Sequence, residues 1–238
     1  MGLQGEGIYV GERELFIRFC GCNLSCPYCD TKYALVKAST CSVEEEAGTR
    51  KFYKVSNPID ADELVGLISP LLKNRKIYHS VVLTGGEPLL WCDFLVPFLK
   101  RLKEMNLPVT LETNGILPVE LGKIIDFVDI VSMDYKLPST LDGSDYSDKH
   151  LLFLEVAKAR EVIIKFVITR NVGFSELKNA LMLVRKIGDF PIVLQPVSPS
   201  GGVEAPDELA LLRMQEIGKE LFSSVRVIPQ MHKIGGWK

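Results

Sequence analysis

The chain has 238 residues, 47% hydrophobic and 24% charged, and its 28 basic and 30 acidic side chains leave a formal charge of −2. That is globular composition, and a near balance of charge without any basic block argues against a nucleic-acid partner and for a small-molecule or protein one. No apolar run is long enough to span a membrane, and residues 1–10 (MGLQGEGIYV) lack the basic-then-apolar order of a signal peptide, so one cytoplasmic domain over residues 1–238 is expected.

Glycines at Gly2, Gly5, Gly7 and Gly11 let the first residues turn tightly and approach a ligand. Residues 14–20 (ELFIRFC) form the first expected strand, in which Arg18 is anomalous. A cation in an apolar strand requires either an acid in the core or an anionic ligand. Next come Cys22, Cys26 and Cys29 in a C-x3-C-x2-C pattern. Three thiolates so placed hold three irons of a four-iron cluster and leave the fourth open to a small molecule. Structural zinc wants a fourth ligand, and no C-x2-C or H-x3-H partner follows. The six cysteines suit a reducing compartment, with Cys20 and Cys92 as packed thiols and Cys41 uninformative.

Residues 32–59 show no lasting period and read as an insertion or crossover. Helices and strands then alternate. Residues 60–76 are expected as a helix capped by Asp60 with Glu63 three positions on. Strand 80–83 follows, then helix 93–105 with Pro97 in its first turn or kinking it, strand 109–112, helix 119–127 and strand 128–133. The pattern closes with helix 145–159, strand 161–168, helix 175–187, strand 192–194, helix 207–221 and strand 225–228. About seven short apolar strands between amphipathic helices predict an α/β fold with a partial parallel barrel.

In such folds the site lies at the carboxyl ends of the strands. Six unusual turns stand there: the cysteines, Thr84-Gly85-Gly86-Glu87-Pro88, Glu112-Thr113-Asn114-Gly115, Asp134-Tyr135-Lys136, Gln195-Pro196 and Pro229-Gln230-Met231-His232. The paired glycines expose backbone to a ligand amine or carboxylate. Glu112 would meet a cationic ligand or a buried arginine. Thr31, by itself a turn or helix-cap residue, carries a hydroxyl of the kind Mg²⁺ accepts. Asp142, Asp145 and Asp148 do not make a calcium loop, because the glycine and the closing glutamate are misplaced. Gly201-Gly202 is expected in a lid, and an isolated His232 is first of all a surface histidine.

The cysteine pattern followed by Gly85-Gly86-Glu87-Pro88 resembles the radical S-adenosylmethionine enzymes. The resemblance implies a 4Fe-4S cluster on Cys22, Cys26 and Cys29, and S-adenosylmethionine on its open iron. Reductive cleavage there would yield a 5′-deoxyadenosyl radical. Further motifs are Gln4-Gly5-Glu6-Gly7, Arg18, Gly21-Cys22-Asn23-Leu24, Cys29-Asp30-Thr31, Glu112-Thr113-Asn114-Gly115 and Pro229-Gln230-Met231-His232-Lys233. Together they are similar to the branch that contracts 6-carboxy-5,6,7,8-tetrahydropterin to 7-carboxy-7-deazaguanine with loss of ammonia, a carbon–nitrogen lyase step toward queuosine or archaeosine in tRNA.

By motif position, that resemblance implies substrate contacts at Leu3, Gln4, Gly5, Arg18 and Thr84. It implies cofactor contacts at Gly86, Asp134, Tyr135, Lys136, Gln195, Pro196, Val197 and Ser198, and Mg²⁺ at Thr31. Where the branch often has Ser-Pro-Lys, this chain has Asp134-Tyr135-Lys136, and the tail Gly235-Gly236-Trp237-Lys238 is also atypical. A homodimer and a reductase or flavodoxin-type electron donor are expected on the same ground. The competing readings are a glycyl-radical activating enzyme, which shares C-x3-C-x2-C but acts on a protein, and a non-enzymatic iron–sulfur carrier.

Overall fold

Short runs of residues exposed by less than 1%, such as Val81, Val82 and Leu83, need cover on both faces; helices pack on the outer face of the sheet, and Ile130, Ile163 and Val193 form a smaller cluster on the inner one. The computed structural model describes residues 1–199 and 202–237. Gly201 of the expected lid and Lys238 of the tail lie outside the described residues. Chain order gives β1 (Gly2–Leu3), β2 (Arg13–Phe19), β3 (Thr40–Glu44), β4 (Phe52–Ser56), α1 (Ala61–Ile68), β5 (Val81–Gly85), α2 (Cys92–Glu104) and β6 (Val109–Thr113). Then follow α3 (Pro118–Ile124), β7 (Ile130–Tyr135), α4 (Ser147–Ala157), β8 (Glu161–Ile168), α5 (Phe174–Arg185), β9 (Ile192–Pro196), α6 (Glu208–Lys219), β10 (Val225–Val227) and α7 (Met231–Ile234).

The main sheet has the order β1-β2-β5-β6-β7-β8-β9-β10. β1 runs antiparallel to β2, and every other neighbouring pair is parallel. Among the described residues no pairing joins β10 back to β1 or β2, so the barrel is partial. Its helices bury one stripe each. In α2, Leu95, Phe98, Leu99 and Leu102 recur at helical spacing and are all fully buried against the sheet. Asp60 and Glu63 form the expected capping box on α1, with bonds of 2.8 and 2.9 Å. That helix stops at Ile68 rather than reaching residue 76, because Pro70 diverts the chain into 3₁₀ turns. Pro97 lies inside α2.

Residues 32–59 contain a hairpin absent from the sequence-based expectation, in which β3 and β4 pair antiparallel outside the main sheet. Register sets what faces the strand ends. Arg18 lies opposite Thr84, Asp134 opposite Lys165, and Val167 opposite Gln195.

Candidate active site

At the carboxyl ends of β2 and β5 to β10 the sheet encloses a cavity of about 610 Å³. Cys22, Cys26 and Cys29 line it on the loop after β2, all three free and half-buried. Their sulfurs are not all within 4.8 Å of one another, the spacing that the ligands of a single ion would share. Burial pushes the Cys22 and Cys26 thiols up, so they hold their protons until iron replaces them.

The turn after β5 fits beneath this loop only because it has no side chains. A Cβ on Gly86 would stand 2.0 Å from the Gly21 carbonyl oxygen and 3.2 Å from Cys22 Cβ. One on Gly85, whose φ is +135°, would stand 2.1 Å from the Phe19 carbonyl oxygen. Gly86 N–H donates to Phe19 O at 3.0 Å and Glu87 N–H to Gly21 O at 2.8 Å, so the turn extends the β2–β5 pairing into the cysteine loop. Three wide-set thiols over a glycine cradle fit a multi-iron cluster with a small ligand beside it.

Arg18 lines the same cavity as the cysteines and is exposed there, with no hydrogen-bond or ion-pair partner among the described residues. The expectation of a buried cation is corrected: its face of β2 is the cavity wall. Beside it, Thr84 Oγ1 donates to Glu112 Oε2 at 2.7 Å, and Gln4 Nε2 donates to Glu112 Oε1 at 3.0 Å and Glu14 Oε2 at 2.8 Å. Glu112 therefore meets a hydroxyl and an amide, not an arginine. Burial pushes the Glu14 carboxyl up to about 7.

On the opposite wall Lys136 Nζ bonds Asp134 Oδ2 at 2.7 Å and stands 3.3 Å from the Tyr28 hydroxyl. Burial works against the Lys136 ammonium, but Asp134, Tyr28 and Cys26 together hold its pKa well above the ordinary lysine value. Asp134 Oδ1 and Gln195 Oε1 are buried without a partner at this cavity, two acceptors left for a ligand.

The far end is closed by residues distant in sequence. Met231 N–H donates to Gly5 O at 2.9 Å, and a Cβ on Gly5 would stand 2.5 Å from His232 Cβ. Gln230 Nε2 donates to Glu6 Oε1 at 3.0 Å and to Asp30 Oδ2 at 3.1 Å, while His232 Nε2 lies 3.3 Å from Asp30 Oδ2. Glu6, Asp30 and His232 bring ligand atoms within 4.8 Å of one another, the spacing of a cation site. Lys165 on Glu6 and Lys233 on Asp30 already neutralise them, so the group is built as an ion-pair network.

Burial would raise the Glu6 carboxyl, but the charge and hydrogen bond of Lys165, with Gln230, hold it at about 2. Because this folded value lies below the ordinary 4.5, its stabilisation is present above pH 4.5 and lost as pH falls toward 2. Glu6→Gln is thus expected to cost up to about 3.5 kcal/mol at pH 7, at ~1.4 kcal/mol per pKa unit, and less at pH 3. Urea unfolding at both pH values checks this, and an equal deficit at both would contradict it.

Of the sequence-predicted residues, the cavity gathers Leu3, Gln4, Gly5, Arg18, Cys22, Cys26, Cys29, Thr31, Thr84, Gly86, Asp134, Lys136, Gln195 and Val197. It does not gather Tyr135, Pro196 or Ser198. Strand side chains alternate between faces, so contiguous runs chosen by motif position are split by the pleat. Tyr135 points outward, its ring 4.1 Å from His150 and its hydroxyl 3.0 Å from Ser147 Oγ. Lys165 was missed, although a lysine inside EVIIKFVI carries the same signal as Arg18.

The family model described as the Radical SAM superfamily matches residues 16–188. The "7-carboxy-7-deazaguanine synthase" of Geobacter sulfurreducens is 39% identical over 98% of this chain and 94% of its own length. That of Methanopyrus kandleri is 35% identical over 98% and 90%. Among solved structures, a radical SAM methyltransferase from Sphaerobacter thermophilus matches with a TM-score of 0.62 at 15% identity, covering 90% of this chain and 66% of that one, a likeness of fold alone.

Proposed function

Since the chain belongs to the radical S-adenosylmethionine superfamily and within it to the 7-carboxy-7-deazaguanine synthases, we propose a division of labour for its cavity in that reaction. The reaction is the ring contraction of 6-carboxy-5,6,7,8-tetrahydropterin to 7-carboxy-7-deazaguanine with release of ammonia. Bound at the cysteines, a 4Fe-4S cluster with S-adenosylmethionine supplies the radical chemistry. The activating-enzyme reading is not favoured by relatives this similar over nearly the whole chain.

The observation that carries the assignment is a guanidinium, Arg18, without a partner among the described residues, in the same cavity as three free thiols. Cys22, Cys26 and Cys29 hold the cluster, and the Gly86 backbone holds the methionine end of the cofactor. Asp134, Lys136, Gln195 and Val197 line its nucleoside end, where the unpartnered Asp134 Oδ1 and Gln195 Oε1 accept hydrogen bonds. Tyr135, Pro196 and Ser198 belong to the same strand ends and act by shaping them. Leu3, Gln4, Gly5 and Thr84 form the pterin wall, and Arg18 pairs with the pterin carboxylate. Lys165 keeps its proton at neutral pH because Glu6, Asp134 and Glu112 together outweigh its burial, and so sets a fixed positive charge at the far end.

Anaerobic turnover of the carboxytetrahydropterin by the reconstituted, dithionite-reduced protein tests this reading. Formation of the deazaguanine and 5′-deoxyadenosine is expected, and neither appearing would refute it.

Mg²⁺ at Thr31 is part of the proposal. Thr31 Oγ1 lines the cavity 3.7 Å from Cys29 Sγ, where a hydroxyl can share a hard cation with substrate oxygens. Thr31→Ala is expected to lower the response of turnover to Mg²⁺ about tenfold, the loss of ~1.4 kcal/mol, while keeping its iron. An unchanged Mg²⁺ titration removes Thr31 from the site. A homodimer and a flavodoxin-type or reductase electron donor complete the reading, on family resemblance. No helix among the described residues is long and apolar enough to cross a membrane.

A further inference from the structure

The peptide of Asn114 is gripped from both sides by fully buried ionisable groups. Its N–H donates to Glu87 Oε2 at 2.8 Å, and its carbonyl oxygen lies 3.1 Å from His150 Nε2. Both Glu87 and His150 are wholly buried. Glu87 also accepts from Thr113 Oγ1 at 2.8 Å and Leu89 N–H at 3.1 Å, tying the end of β5 to the end of β6. Burial lowers the His150 pKa to about 3, so the ring is neutral and carries one proton. The shorter contact places that proton on Nε2, donating to Asn114, rather than leaving Nε2 to accept from Lys136 N–H at 3.4 Å. Nδ1 is then an acceptor without a partner, which costs less than an orphaned donor.

A buried carboxylate and a buried imidazole on one peptide are a large desolvation cost for a strand-end turn. Their effect is to fix the Asn114 side chain. Its Oδ1 accepts from Ile116 N–H at 3.3 Å, and its Nδ2 points at the cysteine loop. There one amide hydrogen serves Asn23 Oδ1 at 2.7 Å, and the other faces Cys22 Sγ at 4.0 Å, the outer edge of an N–H···S contact. Leu24 N–H reaches the same sulfur at 3.4 Å.

We infer that Asn114 is a positioning residue for the radical-generating centre: held by Glu87 and His150, its amide donates to the Cys22 sulfur and raises the reduction potential of the cluster bound there. Donors to a cluster sulfur stabilise the more negative, reduced state, and the partners behind a ligand tune a metal centre as the ligand itself does. The inference rests on the cluster reading proposed above.

The test is an EPR-monitored redox titration of reconstituted protein, with iron and sulfide content measured on the same samples. Asn114→Ala removes the donor, and Asn114→Asp keeps the shape and the bond to Ile116 while replacing the donor by an acceptor. Both are expected to shift the midpoint to lower potential at parental iron content, Asp further than Ala. Glu87→Gln, which loosens the grip, shifts it the same way by less. An unchanged midpoint in a loaded Asn114 variant overturns the inference. So does failure of both Asn114 variants to load iron while still folded, since Asn114 then serves only to assemble the loop. A parent protein that takes up no cluster would instead overturn the cluster reading itself.

Discussion

Gly86→Ala is expected to take up little iron and to lose turnover by at least about 100-fold while keeping its helical content. The added Cβ would lie 2.0 Å from a carbonyl oxygen and 2.6 Å from the carbonyl carbon of Gly21, backbone atoms that cannot rotate away. Relief requires the Cys22 loop to lift from the β5 turn, breaking the 2.8 Å bond from Glu87 N–H to Gly21 O. Overpacking alone costs about 1–3 kcal/mol, a stability loss the buried sheet can absorb. The displaced thiolate is the larger loss, because misplacing a reacting group by about 1 Å costs roughly 100-fold in rate. Gly122→Ala, in α3 with nothing within 4 Å of its would-be Cβ, is the control and should be neutral or slightly stabilising. Iron analysis, circular dichroism and product assay decide it, and full iron with full turnover in Gly86→Ala would contradict the cradle.

The second large effect is at Arg18. Arg18→Met is expected to raise KM for the carboxylated pterin about 100-fold while leaving iron content and affinity for S-adenosylmethionine unchanged. A hydrogen bond to a charged group is worth about 1.5–3 kcal/mol, and every ~1.4 kcal/mol is tenfold. Among the described residues Arg18 has no carboxylate partner, so the loss on removing it falls on the ligand. Arg18→Lys keeps the charge without the planar fork and should fall between the two. Steady-state kinetics with the parent pterin and its decarboxylated analogue give the check: the variant should lose its preference for the carboxylated form. An unaltered preference would move the carboxylate elsewhere in the cavity.

Much of this was legible because the main sheet obeys simple rules. The strand predicted over residues 161–168 is β8 to the residue, since six apolar positions, five of them β-branched, between two turns permit little else. The six predicted strand-end turns border the cavity for the same reason, as parallel strands all deliver their carboxyl ends to one side. The hairpin of β3 and β4 was not legible. Its strands pack against no core and are mostly half-exposed or exposed, leaving no apolar alternation to read. Helix α1 ended early because one proline outweighed a continuing apolar period. Which members of a motif face the cavity is set by the pleat, and Gln195 and Val197 face it while Pro196 and Ser198 do not. The pairing of Glu6 with Lys165 joins β8 to a loop 159 positions away, and no local pattern carries that information.

The clasp between Gly5-Glu6 and Gln230-Met231 has a kinetic meaning. The cysteine loop and the Gly85-Gly86 turn meet through β2 and β5, neighbours in the sheet that both lie in the N-terminal half of the chain. The contact from Gln230 to Glu6 spans 224 positions, so it can form only after nearly the whole chain is available. The entropic cost of closing a loop is returned only when the intervening strands are already paired. Synthesis from the N-terminus therefore completes both sides of the cysteine-loop cradle before the residues that close the far wall of the cavity have emerged.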